Sequence, residues 1–468
     1  MADAHHTART HSRQPCPGPL GARSRREFMR IGTLALGGMT LPSVLQARAQ
    51  ANNEAVETSV ILFWMWGGPS HLETYDLKPN APSEYRGPFQ PIATNVPGFD
   101  ICEHMPLQAK IADKFSVIRS LHHEMSAHND GSIEVLTGKT PPPDPTSQAR
   151  SLHPDFGMIA ARVRGSRADG LPQYVGVQKA PFMTLPQYLG LSHKAFETGD
   201  PSAAGFAAPN LQLAAGVDEG RLVERKSLIA QLDRYRRGLD LGGSLDGVDR
   251  FRGAAFDILT SSRVAKAFDL ELESPQLRDR YGRHRWGQSC LLARRLAEAG
   301  TAVINIDATA TTNSSPHFSW DDHAAAFDLG VANRERLPQL DQALSALVED
   351  IFARGLDRKI LVIACGEFGR TPRISRAATN FLGAPSIGRD HWPQAYCAMI
   401  SGGGLRMGTV VGATNSKGEF PAQAPLTPQD MLATVYQHLG IRPDQTFNDY
   451  GGRPISILPH GEPIRQLL

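Results

Sequence analysis

The strongest constraint on the fold is a set of short segments that are apolar on both faces. Segments 59–66, 302–307, 360–364 and 395–400 are dominated by aliphatic and aromatic residues. A strand that is apolar on both faces is typical of a sheet that is covered on both sides, as parallel sheets are. We therefore predict that these segments are central strands of a largely parallel sheet.

Helical segments lie between and after these strands. Within 337–351, leucine and isoleucine recur every three to four residues, which predicts an amphipathic helix. Thr427, followed by Pro428 and Asp430, has the residue types of a helix N-terminus. Strands that alternate with helices in this way indicate an α/β fold.

The N-terminal segment has the plan of an export signal. Arg25 and Arg26 precede an apolar run at 31–41, and a small-x-small cleavage pattern follows at 47–49. The paired arginines are of the twin-arginine type, and the run is shorter than the roughly 20 residues of a membrane anchor. We predict that residues 1–49 direct export by the twin-arginine translocase to the periplasm or beyond, with no stable membrane span. The alternative is a disordered basic tail.

The remaining chain, 55–468, is predicted to be a single domain. Segment 165–260 has weak periodicity and is rich in Gly, Ala and Arg, so we expect a helical or loop insertion there. The formal net charge of +2 over 468 residues argues against a nucleic-acid partner. The four cysteines after the signal show no CxxC spacing, which disfavours a zinc knuckle.

Acidic residues and histidines recur downstream of the predicted strands, where ligands bind in open α/β sheets. Carboxylates and imidazoles with little cysteine suit a divalent ion such as zinc, manganese, magnesium or calcium. A single Asp or His in a loop is more often a cap or a solvated charge, so the recurrence carries the prediction. The candidates are His71, Glu73, Asp76, His122, His123, His128, Asp321, His323, Glu367, Asp390 and His391.

Three segments resemble the alkaline phosphatase and sulfatase superfamily. Segment 360–369 resembles its strand and Asp-His-Gly metal loop, with Glu367 and Phe368 in place of the acid and the histidine. Segment 427–440 resembles a late sulfatase helix. Leu-Thr-Gly at 136–138, which ends a predicted short helix, resembles the end of the sulfatase nucleophile motif, although the Pro-Ser-Arg part of that motif is absent.

A closer resemblance covers nearly the whole mature chain. The chain resembles a bacterial family, domain of unknown function 1501, whose members are often exported and described as sulfatase-like. Asp322 stands where that family usually has Thr. The resemblance implies an alkaline phosphatase-like three-layer sandwich. The segments that carry it are 60–79, 122–140, 320–327, 361–372, 388–393 and 427–440.

The resemblance and the polar clusters together predict a metal-dependent hydrolase of a phosphate or sulfate ester, either a small molecule or linked to a polymer. The nucleophile position of the sulfatase motif falls on His128, which we expect either to attack or, with slight preference, to bind metal. Arg370 is expected to hold the anion, although it could instead pair with Glu367. The alternative function is a non-catalytic exported binding or accessory protein. The expected metal ligands are Asp321, His323, Glu367, Asp390 and His391, with His71, Glu73, Asp76, His122 and His123 as secondary candidates.

Overall fold

The computed structural model describes residues 58–167, 169–206, 261–310, 317 and 319–468. The export signal predicted at 1–49 lies outside the described residues. The strands are β1 (Ser59–Trp64), β2 (Pro91–Ala93), β3 (Asp100–Cys102), β4 (Ser116–Leu121), β5 (Tyr174–Val177), β6 (Phe196–Glu197), β7 (Val303–Asp307), β8 (Ile360–Cys365), β9 (Gly369–Arg370), β10 (Ser375–Ala377), β11 (Ser386–Gly388), β12 (His391–Trp392), β13 (Tyr396–Gly402), β14 (Val410–Val411), β15 (Ala413–Thr414), β16 (Pro421–Gln423), β17 (Thr446–Asn448) and β18 (Pro454–Ser456). The α-helices are α1 (Pro106–Ala109), α2 (His128–Thr137), α3 (Phe156–Arg164), α4 (Ser262–Phe268), α5 (Pro275–Tyr281), α6 (Arg285–Ala299), α7 (Leu329–Ala353) and α8 (Pro428–Leu439).

The central sheet has eight strands in the order β14-β4-β13-β8-β1-β7-β5-β6. Strand β1 pairs in parallel with β7 and β8, and β5 pairs in parallel with β6 and β7. Strand β13 is antiparallel to both of its neighbours, β8 and β4, while β14 is parallel to β4. Because all strands except β13 point the same way, the predicted largely parallel sheet is confirmed.

Each face of the sheet carries its own hydrophobic core. Ile61 and Phe63 of β1 pack on one face with side chains of α6 and α7, and the ring of Phe63 lies 5.8 Å from that of Trp286. Val60 and Leu62 point to the opposite face, where α2, α3 and α8 contribute the core. The alternation of side chains along β1 thus places helices on both faces, and the predicted three-layer α/β class is confirmed.

The start of the segment predicted as an insertion differs from expectation. Its described part contributes β5 and β6 to the central sheet. Strand β5 is a four-residue strand interrupted by Gly176, so its apolar run is too short to stand out in the sequence. Residues 207–260 lie outside the described residues.

The helix predicted at 132–138 begins earlier, at His128, and ends with Gly138 in the left-handed conformation. The polar residues of its first turn have backbone partners in a loop that covers them. Asn129 Nδ2 donates to the carbonyl of Ala149 at 3.0 Å, and the amide of Asp144 donates to Asp130 Oδ2 at 2.6 Å. These tertiary contacts allow a sequence that is typical of a turn to continue the helix.

The four cysteines of the described part are Cys102, Cys290, Cys365 and Cys397, and all four are buried free thiols. Among the helices that the structure describes, none combines the length and the apolar character that a bilayer crossing requires.

Candidate metal centre

The site lies at the carboxyl edge of the sheet. The loops after β1, β4, β7 and β8 all leave the sheet at this edge because these strands are parallel. The segment before β13 reaches the same edge because β13 runs the opposite way. Side chains far apart in the chain therefore come together here.

His128 is the first residue of α2, and its imidazole contacts two carboxylates. Its Nδ1 donates to Glu367 Oε1 at 2.6 Å, and its Nε2 lies 3.2 Å from Asp321 Oδ2. Glu367 is itself fully buried and also accepts the amide of Gly67 at 2.8 Å. The imidazole of His128 is thus held from behind by Glu367 and points its Nε2 at Asp321.

Two further histidines contact the same aspartate. His323 Nε2 lies 2.9 Å and His391 Nε2 lies 3.1 Å from Asp321 Oδ1, and the two nitrogens are 3.0 Å apart. On their other side, His323 Nδ1 contacts Asp390 Oδ1 at 2.7 Å and His391 Nδ1 donates to the carbonyl of Ser126 at 2.7 Å.

The three histidines therefore share one orientation. Each places Nδ1 against an oxygen acceptor and Nε2 toward the carboxylate of Asp321. Metal-binding histidines in proteins are oriented in this way, since the outer hydrogen bond fixes the tautomer and leaves the inner nitrogen free to coordinate. Ligand atoms of His128, Asp321 and His391 lie within 4.8 Å of one another, close enough for one ion.

The charges of the cluster favour a cation at its centre. Burial lowers the pKa of His391, which keeps its imidazole neutral. Its proton is on Nδ1, because the Ser126 carbonyl only accepts. The unprotonated Nε2 then faces the carboxylate of Asp321 at 3.1 Å, an arrangement of two acceptors that a cation beside them would stabilise.

The other pKa shifts show how strongly the groups interact. For His128, burial lowers the pKa, but the carboxylates of Asp321 and Glu367 outweigh it and raise the pKa to about 9. The hydrogen bond to Asp321 raises the pKa of His323 against a smaller effect of burial. For Asp321, burial raises the pKa, but the three histidines and Arg370 hold it far below its usual range.

Arg370 lies beneath the cluster and is fully buried. Its Nε donates to the carbonyl of Gly68 at 2.8 Å and its Nη2 donates to Asp321 Oδ1 at 2.6 Å. The same Nη2 donates to the carbonyl of Gly67, and Nη1 donates to that of Arg389 at 3.2 Å. The guanidinium, predicted to hold a substrate anion, is thus placed where it positions Asp321 and the glycine turn after β1.

Glu367 and Asp390, predicted as ligands, are placed behind the histidines. Glu367 orients His128, and Asp390 orients His323. Of the predicted site residues, the structure brings together around one point His128, Asp321, His323 and His391.

Two aromatic side chains that the sequence analysis did not assign to the site enclose His128. The ring of Trp66 lies 5.0 Å and that of Phe368 lies 5.1 Å from the imidazole. Both follow central strands directly, Trp66 after β1 and Phe368 after β8, which is the signal that could have identified them. The Ser126 carbonyl, being a backbone group, had no sequence signal.

The secondary candidates lie outside the cluster. His123 Nε2 donates to the Glu367 carbonyl at 2.6 Å, since its Nδ1 accepts the amide of Met125. Glu73 forms a buried ion pair with Arg389, whose backbone precedes Asp390.

Two more of them are bound elsewhere. His71 Nε2 contacts the carbonyl of Gly418 at 2.9 Å, and Asp76 pairs with Lys78 at 2.9 Å. The side chain of His122 is half-buried and does not belong to the group of described residues that could hold an ion.

The fold and the site together define an α/β protein with a histidine–carboxylate cluster at the carboxyl edge of its sheet. The family described as "Protein of unknown function (DUF1501)" matches residues 57–468. The chain belongs to this family, as its sequence motifs predict. No curated protein matches the chain in sequence.

Solved structures similar to this one include several hydrolases. A sulfatase from Pseudoalteromonas sp. has 11% identity and a TM-score of 0.36, with 90% of this chain and 72% of that chain covered. A phosphonate monoester hydrolase from Silicibacter pomeroyi has 11% identity and a TM-score of 0.33, with 83% of this chain and 74% of that chain covered. A lipoteichoic acid synthase from Listeria monocytogenes has 9% identity and a TM-score of 0.34, with 83% of this chain and 73% of that chain covered. The activity in each name belongs to that protein.

Proposed function

We propose that this protein is an exported, metal-dependent hydrolase of a phosphate or sulfate ester. The observation that carries the proposal is the common orientation of His128, His323 and His391, whose Nε2 atoms converge on Asp321 while each Nδ1 is bound to an oxygen acceptor. A structural ion pair needs one histidine and one carboxylate, whereas several imidazoles around one carboxylate offer the donors that a metal ion requires.

The residues of the cluster fit a single divalent ion. His128, His391 and Asp321 would be the ligands, because their ligand atoms lie within 4.8 Å of one another. Glu367 would orient His128, and His323 would lie beside the ion in contact with Asp321 and His391. Among the described residues, the buried Nε2 of His128 has no well-aligned hydrogen-bond partner, which suits a nitrogen that coordinates a metal ion. Two imidazole nitrogens and one carboxylate oxygen favour zinc, or another borderline ion such as manganese, over magnesium or calcium, which prefer oxygen.

A divalent ion bound there would polarise a phosphoryl or sulfuryl oxygen of the ester. The chain itself would hold the ligands rigidly through Glu367 and Arg370. The cluster is reachable from solvent, because the side chains of Asp321, His323 and His391 are 28%, 31% and 23% exposed. With His128 as a ligand, it does not act as the nucleophile.

The direct test is metal content followed by hydrolysis. The protein is purified after expression in zinc- or manganese-supplemented medium, analysed for metal, and assayed with aryl phosphates, phosphodiesters and sulfates. We expect about one ion per chain and turnover that is lost in Asp321→Ala and His391→Ala. The control is His460→Ala, an exposed histidine distant in sequence. Turnover in the absence of bound metal, or unchanged turnover in both variants, would overturn the proposal.

His128 also allows a role as the attacking group. Its Nδ1–H donates to Glu367, so the neutral imidazole would carry its lone pair on Nε2. Mass spectrometry of protein quenched during turnover separates the two roles. A phosphoryl adduct on His128 would establish attack, and loss of bound metal in His128→Ala without any adduct would establish ligation.

We also propose that residues 1–49 are a twin-arginine export signal and that 55–468 form one domain. Fusing residues 1–49 to a folded reporter should direct it to the periplasm, and Arg25→Lys combined with Arg26→Lys should abolish transport. A reporter that stays in the cytoplasm with both arginines intact would refute the export proposal.

The second candidate is a non-catalytic exported binding or accessory protein. It is favoured by the pKa of His128, about 9, because a protonated His128 could bridge Asp321 and Glu367 without any metal. In that case metal analysis would find no bound ion, and chelators would leave the melting temperature unchanged. A loss of stability on chelation contradicts this candidate.

A further inference from the structure

We propose that the protein has a second subsite, formed by Phe182 and Arg150, which binds a ring with a second negative charge next to the reacting ester. This inference rests on the proposed function, because it adds the class of substrate to that site. The substrate would be an anionic ester whose phosphate or sulfate is attached to a flat, acidic ring-bearing group.

Successive contacts between aromatic side chains link the candidate metal centre to this subsite. The imidazole of His128 lies 5.0 Å from the ring of Trp66, which in turn lies 5.9 Å from the ring of Phe182. Phe182 belongs to the loop after β5 and Trp66 to the loop after β1, so both reach the carboxyl edge of the sheet. Trp66 thus contacts both the cluster and Phe182, so the subsite is continuous with the cluster.

Phe182 is 53% exposed, although the residues on either side of it are buried. The exposed part of this ring offers an apolar surface to a ligand ring. The planes of the Trp66 and Phe182 rings meet at 70°, which is an edge-to-face arrangement of two aromatic rings.

Arg150 gives the subsite its charge. Its guanidinium carbon lies 5.2 Å from the centre of the Phe182 ring, and the side chain is exposed. Among the described residues it forms no ion pair, so its charge is available to an anion. A cation on an aromatic ring binds a planar acidic group better than an isolated arginine would, since ring and charge act on one ligand.

The fragment-based test uses three probes on the metal-loaded protein, with binding measured by calorimetry. Inorganic phosphate reports on the metal centre, 4-hydroxybenzoate reports on the subsite, and 4-carboxyphenyl phosphate contacts both. We expect 4-carboxyphenyl phosphate to bind at least about tenfold more tightly than inorganic phosphate, because its two groups are linked.

Two variants remove the parts of the subsite separately. Phe182→Ala should lower the affinity for 4-carboxyphenyl phosphate by about fivefold, and Arg150→Gln should lower it by about threefold. The affinity for inorganic phosphate should be unchanged in both variants. The matched controls are Tyr450→Ala and Arg442→Gln, an aromatic ring and a guanidinium that are both exposed elsewhere. Metal content and melting temperature should be unchanged in all four variants.

The outcomes separate the two proposals. Equal affinity for inorganic phosphate and 4-carboxyphenyl phosphate, or no loss in Phe182→Ala, would overturn the subsite and leave the ester function intact. Binding of 4-hydroxybenzoate without any binding of phosphate would overturn the ester function and retain the subsite. A protein that binds none of the three probes overturns both.

Discussion

Glu367 lies behind His128 and fixes the direction of its imidazole through a 2.6 Å hydrogen bond. The carboxylate is completely buried, so its negative charge acts on the histidine with little screening by solvent. This pair determines whether Nε2 of His128 points into the cluster, and it gives the first prediction.

Glu367→Gln should weaken zinc binding by about 10- to 100-fold without unfolding the protein. The glutamine oxygen can still accept from His128 and Gly67, but the charge that makes the imidazole a better ligand is gone. Zinc affinity is measured by competition with a chromogenic chelator. Glu462→Gln, an exposed acid paired with Arg465, is the control. Equal zinc affinity in wild type and Glu367→Gln would show that Glu367 has no role in orienting a ligand.

Arg370→Met should destabilise the fold by about 3–5 kcal/mol, because the buried carbonyls of Gly67 and Gly68 and the partly buried carboxylate of Asp321 lose their donor. The free energy of unfolding is measured in urea. Arg373→Met, an exposed arginine nearby, should change it by less than about 0.5 kcal/mol. If Arg370→Met is as stable as wild type but loses affinity for inorganic phosphate, then Arg370 holds the anion, as the sequence predicts.

Gly67→Ala should abolish metal binding. Gly67 has φ +110, and an added Cβ would lie 2.6 Å from the amide nitrogen of Trp320 and 2.7 Å from that of Asp321. The backbone that carries Asp321 would therefore have to move. The matched control is Gly404→Ala, which has φ +69 but open space around the added Cβ. Both variants place an alanine at positive φ, but only Gly67→Ala also brings the added Cβ against the backbone of Trp320 and Asp321. A loss of bound metal in both variants would therefore show that backbone strain, and not this contact, causes the loss.

Acid should destabilise the protein through His284, a residue remote from the cluster. Burial lowers its pKa from 6.5 to about 4 in the folded state. The unfolded chain therefore binds a proton that the folded chain does not, and stability falls as pH drops from about 6.5 toward 4.

Between pH 7.5 and 5, protonation of this single histidine in the unfolded chain should lower the free energy of unfolding by about 2 kcal/mol. His284 accepts the amide of Gly287 as the N-cap of α6, so His284→Asn retains a capping side chain without the titration. Urea unfolding of both proteins at the two pH values measures the difference. A wild type and variant that lose equal stability on acidification would exclude His284 as the cause.

The layers of the fold could be predicted because β1 and β8 are apolar on both faces, a pattern that only a covered sheet accommodates. Strand β5 could not, since four residues containing a glycine carry too little pattern. The start of α2 was missed for a different reason. Asn129, Asp130 and Gly131 are typical turn residues, and a distant loop supplies the partners that keep them helical.

The candidate site was predictable in its residue types but not in its roles. Position after a strand places a side chain at the correct edge, yet it does not give the direction in which an imidazole points. His71 and His391 both follow the pattern of acids and histidines, but His71 is bound to the Gly418 carbonyl and His391 to that of Ser126. Which carboxylate faces the centre and which lies behind a histidine depends on backbone contacts that sequence spacing does not encode.

Helix α2 is buried along its entire length, including the polar residues of its first turn. His128 is therefore attached to the rigid interior, whereas Phe182 and Arg150 lie on surface loops. This division separates the part of the molecule that would perform chemistry from the part that would select what it acts on. Substitutions in those two loops can accordingly change ligand preference without disturbing the helix, which makes the loops the natural place to alter specificity by directed evolution.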